Sequence, residues 1–310
     1  MTALQLAGPR GFATDRQHHR IALHRPDHAA RQRRGFLRLV DGTQTQLHYT
    51  DSGTGPPVVF VHGWQTAAQY WARSASALQS TRRVITYDHR GHGRSDDALM
   101  ATVPALAADL QQLLAALDLS SATLVGHSMG CSVIWAYLSL FGDERVDRLI
   151  FVDQSPAMLI DPSWDESTRS RAGAMLTEQD LQAIVAGLTD PATREELIHG
   201  TVRELAGPHA ESELIDQVLT WTRRVRPDFG AALLADHVRR DWRAEIAAIT
   251  RPTLVVAGRG SVVPWTGGKW IAETIPRARL EIIEQAEGGT HLLTLRNPIR
   301  FARLLGDFIG

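Results

Sequence analysis

The sequence holds one cysteine, Cys131, so no intrachain disulfide can close and no cysteine set is available for a structural zinc. Charge of one sign is equally scarce, with 33 Lys and Arg against 34 Asp and Glu and a formal net charge of -1. That balance removes any global attraction toward nucleic acid or an anionic membrane. No stretch approaches the roughly 20 apolar residues of a membrane span, and the N-terminal residues lack the apolar core of an export signal. These absences lead to the expectation of a cytoplasmic protein acting on a small-molecule substrate, with neither nucleic acid nor membrane as partner; oligomeric state is not legible. A dinucleotide-binding fold is excluded because no G-x-G-x-x-G follows the first strand-like run.

What remains is an ordinary globular composition, 44% hydrophobic and 22% charged over 310 residues, enough for one large α/β domain. Residues 1–35 carry seven Arg and four His against two Asp with little apolar periodicity, and are expected to be a mobile basic tail. From residue 36 strand-like and helix-like segments alternate, the pattern of a mostly parallel sheet flanked by helices. FLRLVDGTQTQLHYTDSG reads as two antiparallel edge strands joined at Asp41-Gly42. PPVVFV, RRVITY, SATLV, DRLIFV, RPTLVV and ARLEII are short apolar runs of the kind buried on both faces. Between Val103 and Leu119, apolar residues fall at helical spacing. Residues 158–242 break the alternation with helical, charged and Trp-containing segments and read as an inserted helical cap. The core then comprises 36–157 and 243–310.

The densest chemical signal is Gly126-His127-Ser128-Met129-Gly130, a G-x-S-x-G between a strand and a helix-compatible run. A serine at such a sharp turn needs glycine on either side, because neighbouring Cβ atoms would collide with the adjoining strand and helix. A serine hydroxyl is a weak nucleophile until a base takes its proton, and histidine is the base suited to neutral pH. His291, after the last strand-like run and before an amphipathic terminal helix, is the candidate. Met129 begins the helix, so its amide is a free donor aimed where an oxyanion would form.

With HGW at 62–64, DHRGHGRSD at 88–96, GHSMG at 126–130, FVDQSP at 151–156 and GGTH at 288–291, the chain resembles the α/β-hydrolase superfamily over roughly 36–310. The resemblance implies an oxyanion hole formed by the amides of Trp64 and Met129. It also exposes a departure. Most members carry the triad acid a few residues beyond the glycine that here ends PTLVVAG, yet this chain continues Arg259-Gly260-Ser261-Val262-Val263 with no carboxylate. Asp153, at the end of LIFV, is the expected substitute, and the resemblance extends to members that hold their acid there. Ser261 is then expected to be a bystander, and Glu284 and Glu287 are weaker candidates. His62, His127 and Trp265 are expected near the substrate, with Trp64, Trp164 and Trp221 as further aromatic walls. Neither a metal nor another cofactor is implied, and Cys131 reads as core.

The expected activity is hydrolysis of a small ester, lactone or related acyl compound by a Ser128–His291–Asp153 triad. A cofactor-independent dioxygenase that opens a hydroxyquinolone-like ring is the alternative, because such enzymes resemble this chain in their HGW-like and GG-x-TH segments and their acid position; there the His–Asp pair is the base. Perhydrolysis by the same triad and a non-hydrolytic binding protein on the same scaffold complete the set. Aspartate-nucleophile dehalogenases and epoxide hydrolases are excluded by the serine at 128.

Overall fold

The computed structural model describes residues 33–310. The expectation of a mobile tail over residues 1–32 lies outside the described residues, and its last three positions, 33–35, instead open the first strand.

Eight strands form one sheet: β1 Arg33–Arg38, β2 Gln46–Ser52, β3 Pro57–Val61, β4 Arg83–Tyr87, β5 Ala122–His127, β6 Val146–Val152, β7 Thr253–Gly258 and β8 Ala278–Ile283. Their order is β1-β2-β4-β3-β5-β6-β7-β8, parallel from β4 onward, with β1 and β2 antiparallel at one edge. The six apolar runs become the six parallel strands; the interior ones are covered on both faces, with β5 and β7 buried at every position, while β8 closes the sheet as a half-buried edge. The edge pair forms as expected but not through a tight turn at Asp41-Gly42. Asp41 instead accepts from the amide and hydroxyl of Thr43, and the loop closes where the Leu39 amide donates to the Thr45 carbonyl.

The helices are α1 Ala72–Leu78, α2 Val103–Ala116, α3 Met129–Phe141, α4 Glu166–Ala172, α5 Glu178–Thr189, α6 Arg194–Ala206, α7 Ser212–Thr222, α8 Pro227–Val238, α9 Arg243–Ala247, α10 Trp265–Thr274, α11 Leu293–Arg296 and α12 Pro298–Ile309. Two apolar layers result. One packs α2, α3 and the end of α10 on one face of the sheet; the other gathers α1 and α12 with much of the helical insert. Thr102 accepts from the Ala105 amide to start α2, and Asn297 does the same for α12 through the Arg300 amide.

Helices α4 to α8 all lie between β6 and β7, where the alternating pattern is interrupted. The two ends of this insert meet: Ala157 bridges Asp241, and the Trp242 amide donates to the Pro156 carbonyl at 2.9 Å. An excursion that leaves and returns at one point does not disturb the sheet, and it begins four residues after Asp153, at the carboxyl edge where open α/β sheets bind ligands.

Candidate active site

Three adjacent strand ends carry non-glycine residues at positive φ: Gln65 after β3 (52°), Ser128 after β5 (54°) and Asp153 after β6 (53°). L side chains rarely adopt such backbone, and each instance costs on the order of 1–3 kcal/mol. Surrounding bonds hold them there. The Ser128 amide donates to Val152 O at 2.9 Å and the Asp153 amide to Val256 O at 2.8 Å.

Ser128, with ψ at -129°, forms the junction between β5 and α3, and Met129 is the first helical residue. The expected steric requirement is met on both sides. A Cβ on Gly126 would lie 2.7 Å from the Cys131 nitrogen, and one on Gly130 would lie 2.2 Å from the Val61 carbonyl oxygen. The segment after β3 comes equally close, since a Cβ on Gly63 would approach Ser128 Cβ to 3.1 Å. Trp64 follows directly, so its backbone stands close to Ser128. Among the described residues the amides of Trp64 and Met129 have no acceptor. Two free donors flank the serine.

His291 enters from the loop between β8 and α11. Its Nδ1–H donates to Asp153 Oδ2 at 2.8 Å, and both side chains are almost fully buried. Holding Nδ1–H on the carboxylate leaves Nε2 as the lone-pair nitrogen, the tautomer a base requires. The Gly258 amide donates to the other carboxylate oxygen at 2.9 Å. Ser261 does not stand apart as expected: its hydroxyl donates to Oδ2, the oxygen that also receives His291. Glu284 and Glu287 lie away from the imidazole, in a capping box around the turn 285–287, with Glu287 paired to Arg300.

Two of the three residues expected near the substrate are placed otherwise. His62 is fully buried, its Nδ1–H donating to Gly63 O at 2.8 Å while Nε2 accepts from the His89 amide at 3.0 Å. His127 is stacked under Tyr70, ring centroids 4.5 Å apart, and its Nε2–H donates to the His291 carbonyl at 2.8 Å. With no surface open to a ligand, both fix backbone instead. Burial and neighbouring imidazoles hold both well below the ordinary histidine range, so they are neutral. Trp265 is half-buried, lines a narrow cleft with Asp153, Gln154 and Val263, and carries the Arg259 guanidinium over its ring at 4.1 Å. Trp221 is buried in the insert's core, and Trp164 packs under Arg243. Cys131 is core: burial raises its thiol well above the ordinary range.

Several contacts had no sequence signal. The Trp64 indole donates to the Gly230 carbonyl in α8 at 2.8 Å, and the Thr222 hydroxyl at the end of α7 shares its proton between the Val218 carbonyl of its own helix at 3.1 Å and the Gln65 carbonyl at 3.3 Å. The segment 63–65 is thereby tied to the helical insert. His92 supports it from below, accepting from the Gln65 amide at 3.2 Å. The positive φ of Gln65 is invisible in a sequence, because glycine is the usual marker of such backbone. Among the described residues no three His, Cys, Asp or Glu side chains are placed to hold a metal ion.

A family profile for the alpha/beta hydrolase fold matches residues 56–292. In sequence the chain is similar to 3-oxoadipate enol-lactonase 1 of Acinetobacter baylyi, 24% identical over 82% of this chain and 88% of that protein. It is also similar to the pimeloyl-(acyl-carrier protein) methyl ester esterase of Photobacterium profundum, 27% identical over 86% of this chain and 99% of that one. In structure it is similar to a bromoperoxidase from Bacillus anthracis, with a TM-score of 0.81 and 25% identity, covering 89% of this chain and 99% of that one. The strand order, the serine junction and these matches agree, and the chain belongs to the alpha/beta hydrolase fold family.

Proposed function

We propose that this protein hydrolyses a small ester or lactone, with Ser128 as nucleophile, His291 as general base and then acid, and Asp153 as the group that orients His291. The observation that carries the reading is the His291 Nδ1–H bond to Asp153 at 2.8 Å, on the same sheet edge as a serine at positive φ on a strand–helix junction. In the first half-reaction Ser128 Oγ bonds to the acyl carbon while its proton passes to His291 Nε2. Negative charge builds on the former carbonyl oxygen, where the amides of Trp64 and Met129 receive it. Collapse breaks the bond to the alcohol oxygen, which takes the proton from His291, and an acyl group remains on Ser128. Water then repeats the sequence, giving up a proton to His291 and releasing the acid. Every step is proton transfer and acyl transfer, so no redox cofactor is required. The relatives named for a lactonase and a methyl ester esterase support an acyl–oxygen bond as the target.

The test is a panel of aryl esters, lactones and hydroxyquinolones, with acid release and oxygen uptake recorded together for the wild type and Ser128→Ala. Acid release without oxygen uptake, abolished in Ser128→Ala down to a residual about 10³-fold above water, is the expected result. Oxygen uptake on a hydroxyquinolone, or near wild-type turnover in Ser128→Ala, would overturn the reading in favour of the dioxygenase alternative.

A further inference from the structure

The segment 258–263 braces the two halves of the site. Arg259 donates from its amide to Ile283 O at 2.9 Å, and Gly260 donates to Gly289 O at 2.8 Å, two residues before His291. On its other side the Gly258 amide holds Asp153 Oδ1. Ser261 sits at the tip of this brace. Its Oγ accepts from the Val263 amide at 3.1 Å, which fixes the oxygen, and its proton goes to Asp153 Oδ2. Oδ2 therefore receives two donors, Ser261 O–H and His291 Nδ1–H, while Asp153 is held at positive φ.

Resting on the hydrolase reading above, we propose that Ser261 is a positioning residue: its hydroxyl locks the Asp153 carboxylate and moderates the negative charge that Asp153 presents to His291. Both effects follow from one bond. A second donor on Oδ2 restricts rotation of the carboxylate, and a shared lone-pair region weakens its hold on an imidazolium. A carboxylate stripped of that donor holds the imidazolium more firmly, so the acidic limb of the rate profile moves to higher pH. A carboxylate that merely loosened would do the reverse.

The surroundings make this readable in a pH profile. His127, on β5, faces the His291 ring at 4.7 Å and is neutral. His237, on α8, is pushed down to about 4 by burial. Burial raises the Cys131 thiol and Tyr70 phenol, on the other sides of Asp153, so both stay protonated. Arg259 is paired with Glu284. None of these changes charge between about pH 5 and 9, so the acidic limb of kcat/KM reports the His291–Asp153 pair.

The experiment compares wild type, Ser261→Ala, Ser261→Thr, Asp153→Asn and Ser128→Ala on p-nitrophenyl acetate across that range, with thermal unfolding as the control for folding. Ser261→Ala is expected to lower plateau kcat about tenfold and to move the acidic limb upward by roughly half a pH unit. Ser261→Thr, which keeps the hydroxyl, is expected to restore both. Should Ser261→Ala fail to fold, Ser261→Cys keeps the volume with a much weaker donor and carries the same expectation. Wild-type rate and profile in Ser261→Ala, with Ser128→Ala and Asp153→Asn inactive, overturn this inference alone. A slower enzyme whose limb is unmoved or moved downward overturns it too, since that is a purely structural loss. Turnover surviving in Ser128→Ala instead overturns the hydrolase reading, and this inference with it.

Discussion

Replacing Asp153 by Asn tests the site at its least conventional point, because the substitution preserves shape while changing one acceptor into a donor. The outcome is set by which way the new amide faces. One carboxylate oxygen receives the Gly258 amide at 2.9 Å, and a backbone N–H cannot rotate away. The other receives two groups that adapt: the Ser261 hydroxyl, which can turn to accept, and the His291 ring, which can change tautomer. An Asn therefore points its oxygen at Gly258 and its NH₂ at His291. The opposite orientation sets NH₂ against a buried N–H and costs on the order of 2 kcal/mol, about a 30-fold bias. In the favoured orientation Nδ1 must accept, Nε2 carries the proton, and Ser128 faces a donor instead of a base. Adding the lost stabilisation of the imidazolium, kcat is expected to fall by roughly 10⁴. The assay is steady-state hydrolysis of an aryl ester, with a thermal melt to establish that the variant is folded. A folded Asp153→Asn enzyme within tenfold of wild-type kcat would refute the reasoning, and a carboxylate other than Asp153 would have to be sought.

Two other perturbations follow from the same coordinates. Trp64→Phe removes the indole bond to Gly230 and leaves the oxyanion segment less firmly held; kcat should drop about tenfold with KM nearly unchanged and Tm lowered by about 2 °C, whereas a rise in KM alone would mean that Trp64 binds substrate instead. Stability should also fall in acid, because burial depresses His89 to about 3 and His92 and His237 to about 4, and holds His62 and His127 well below the usual range. Between pH 6.5 and about 4 the unfolded chain binds protons that the native state refuses, so each such histidine removes up to about 1.4 kcal/mol per pH unit on acidification. Urea midpoints measured from pH 7 to 5 check this, and a flat profile would show that the native state accommodates the charged rings.

The parallel strands were legible because an apolar run of five or six residues has little choice but burial on both faces, and the serine junction because glycines bracket it in a sequence that moves from strand to helix. Asp153 was suggested by the family resemblance, which places an acid after Gly258 in most members and at the end of the preceding strand in others. The errors share another origin. His62 and His127 lie next to Gly63 and Ser128 in sequence, but neighbours along a strand end point to opposite sides, and both rings turn into the protein. The edge hairpin was drawn too tight because Asp-Gly also serves longer loops when a threonine follows to satisfy the aspartate. The Ser261 bond to Asp153 was not legible because a hydroxyl 108 residues from its partner leaves no periodic trace. Contacts of that kind belong to tertiary structure, and so do the bonds from Thr222 and Gly230 to the oxyanion segment.

Those last bonds bear on how such a protein can diversify. An excursion whose two ends meet at the Ala157–Asp241 bridge looks exchangeable, a module that selection or an engineer could replace to admit new substrates. Yet α7 and α8 also supply contacts that hold Trp64 and Gln65 beside Ser128, the indole bond to Gly230 and the shared Thr222 hydroxyl. Selectivity and rate are therefore not separate inheritances here. A chimera carrying a foreign insert would admit a different ligand and turn it over slowly, until a carbonyl corresponding to that of Gly230 and a hydroxyl corresponding to that of Thr222 were restored.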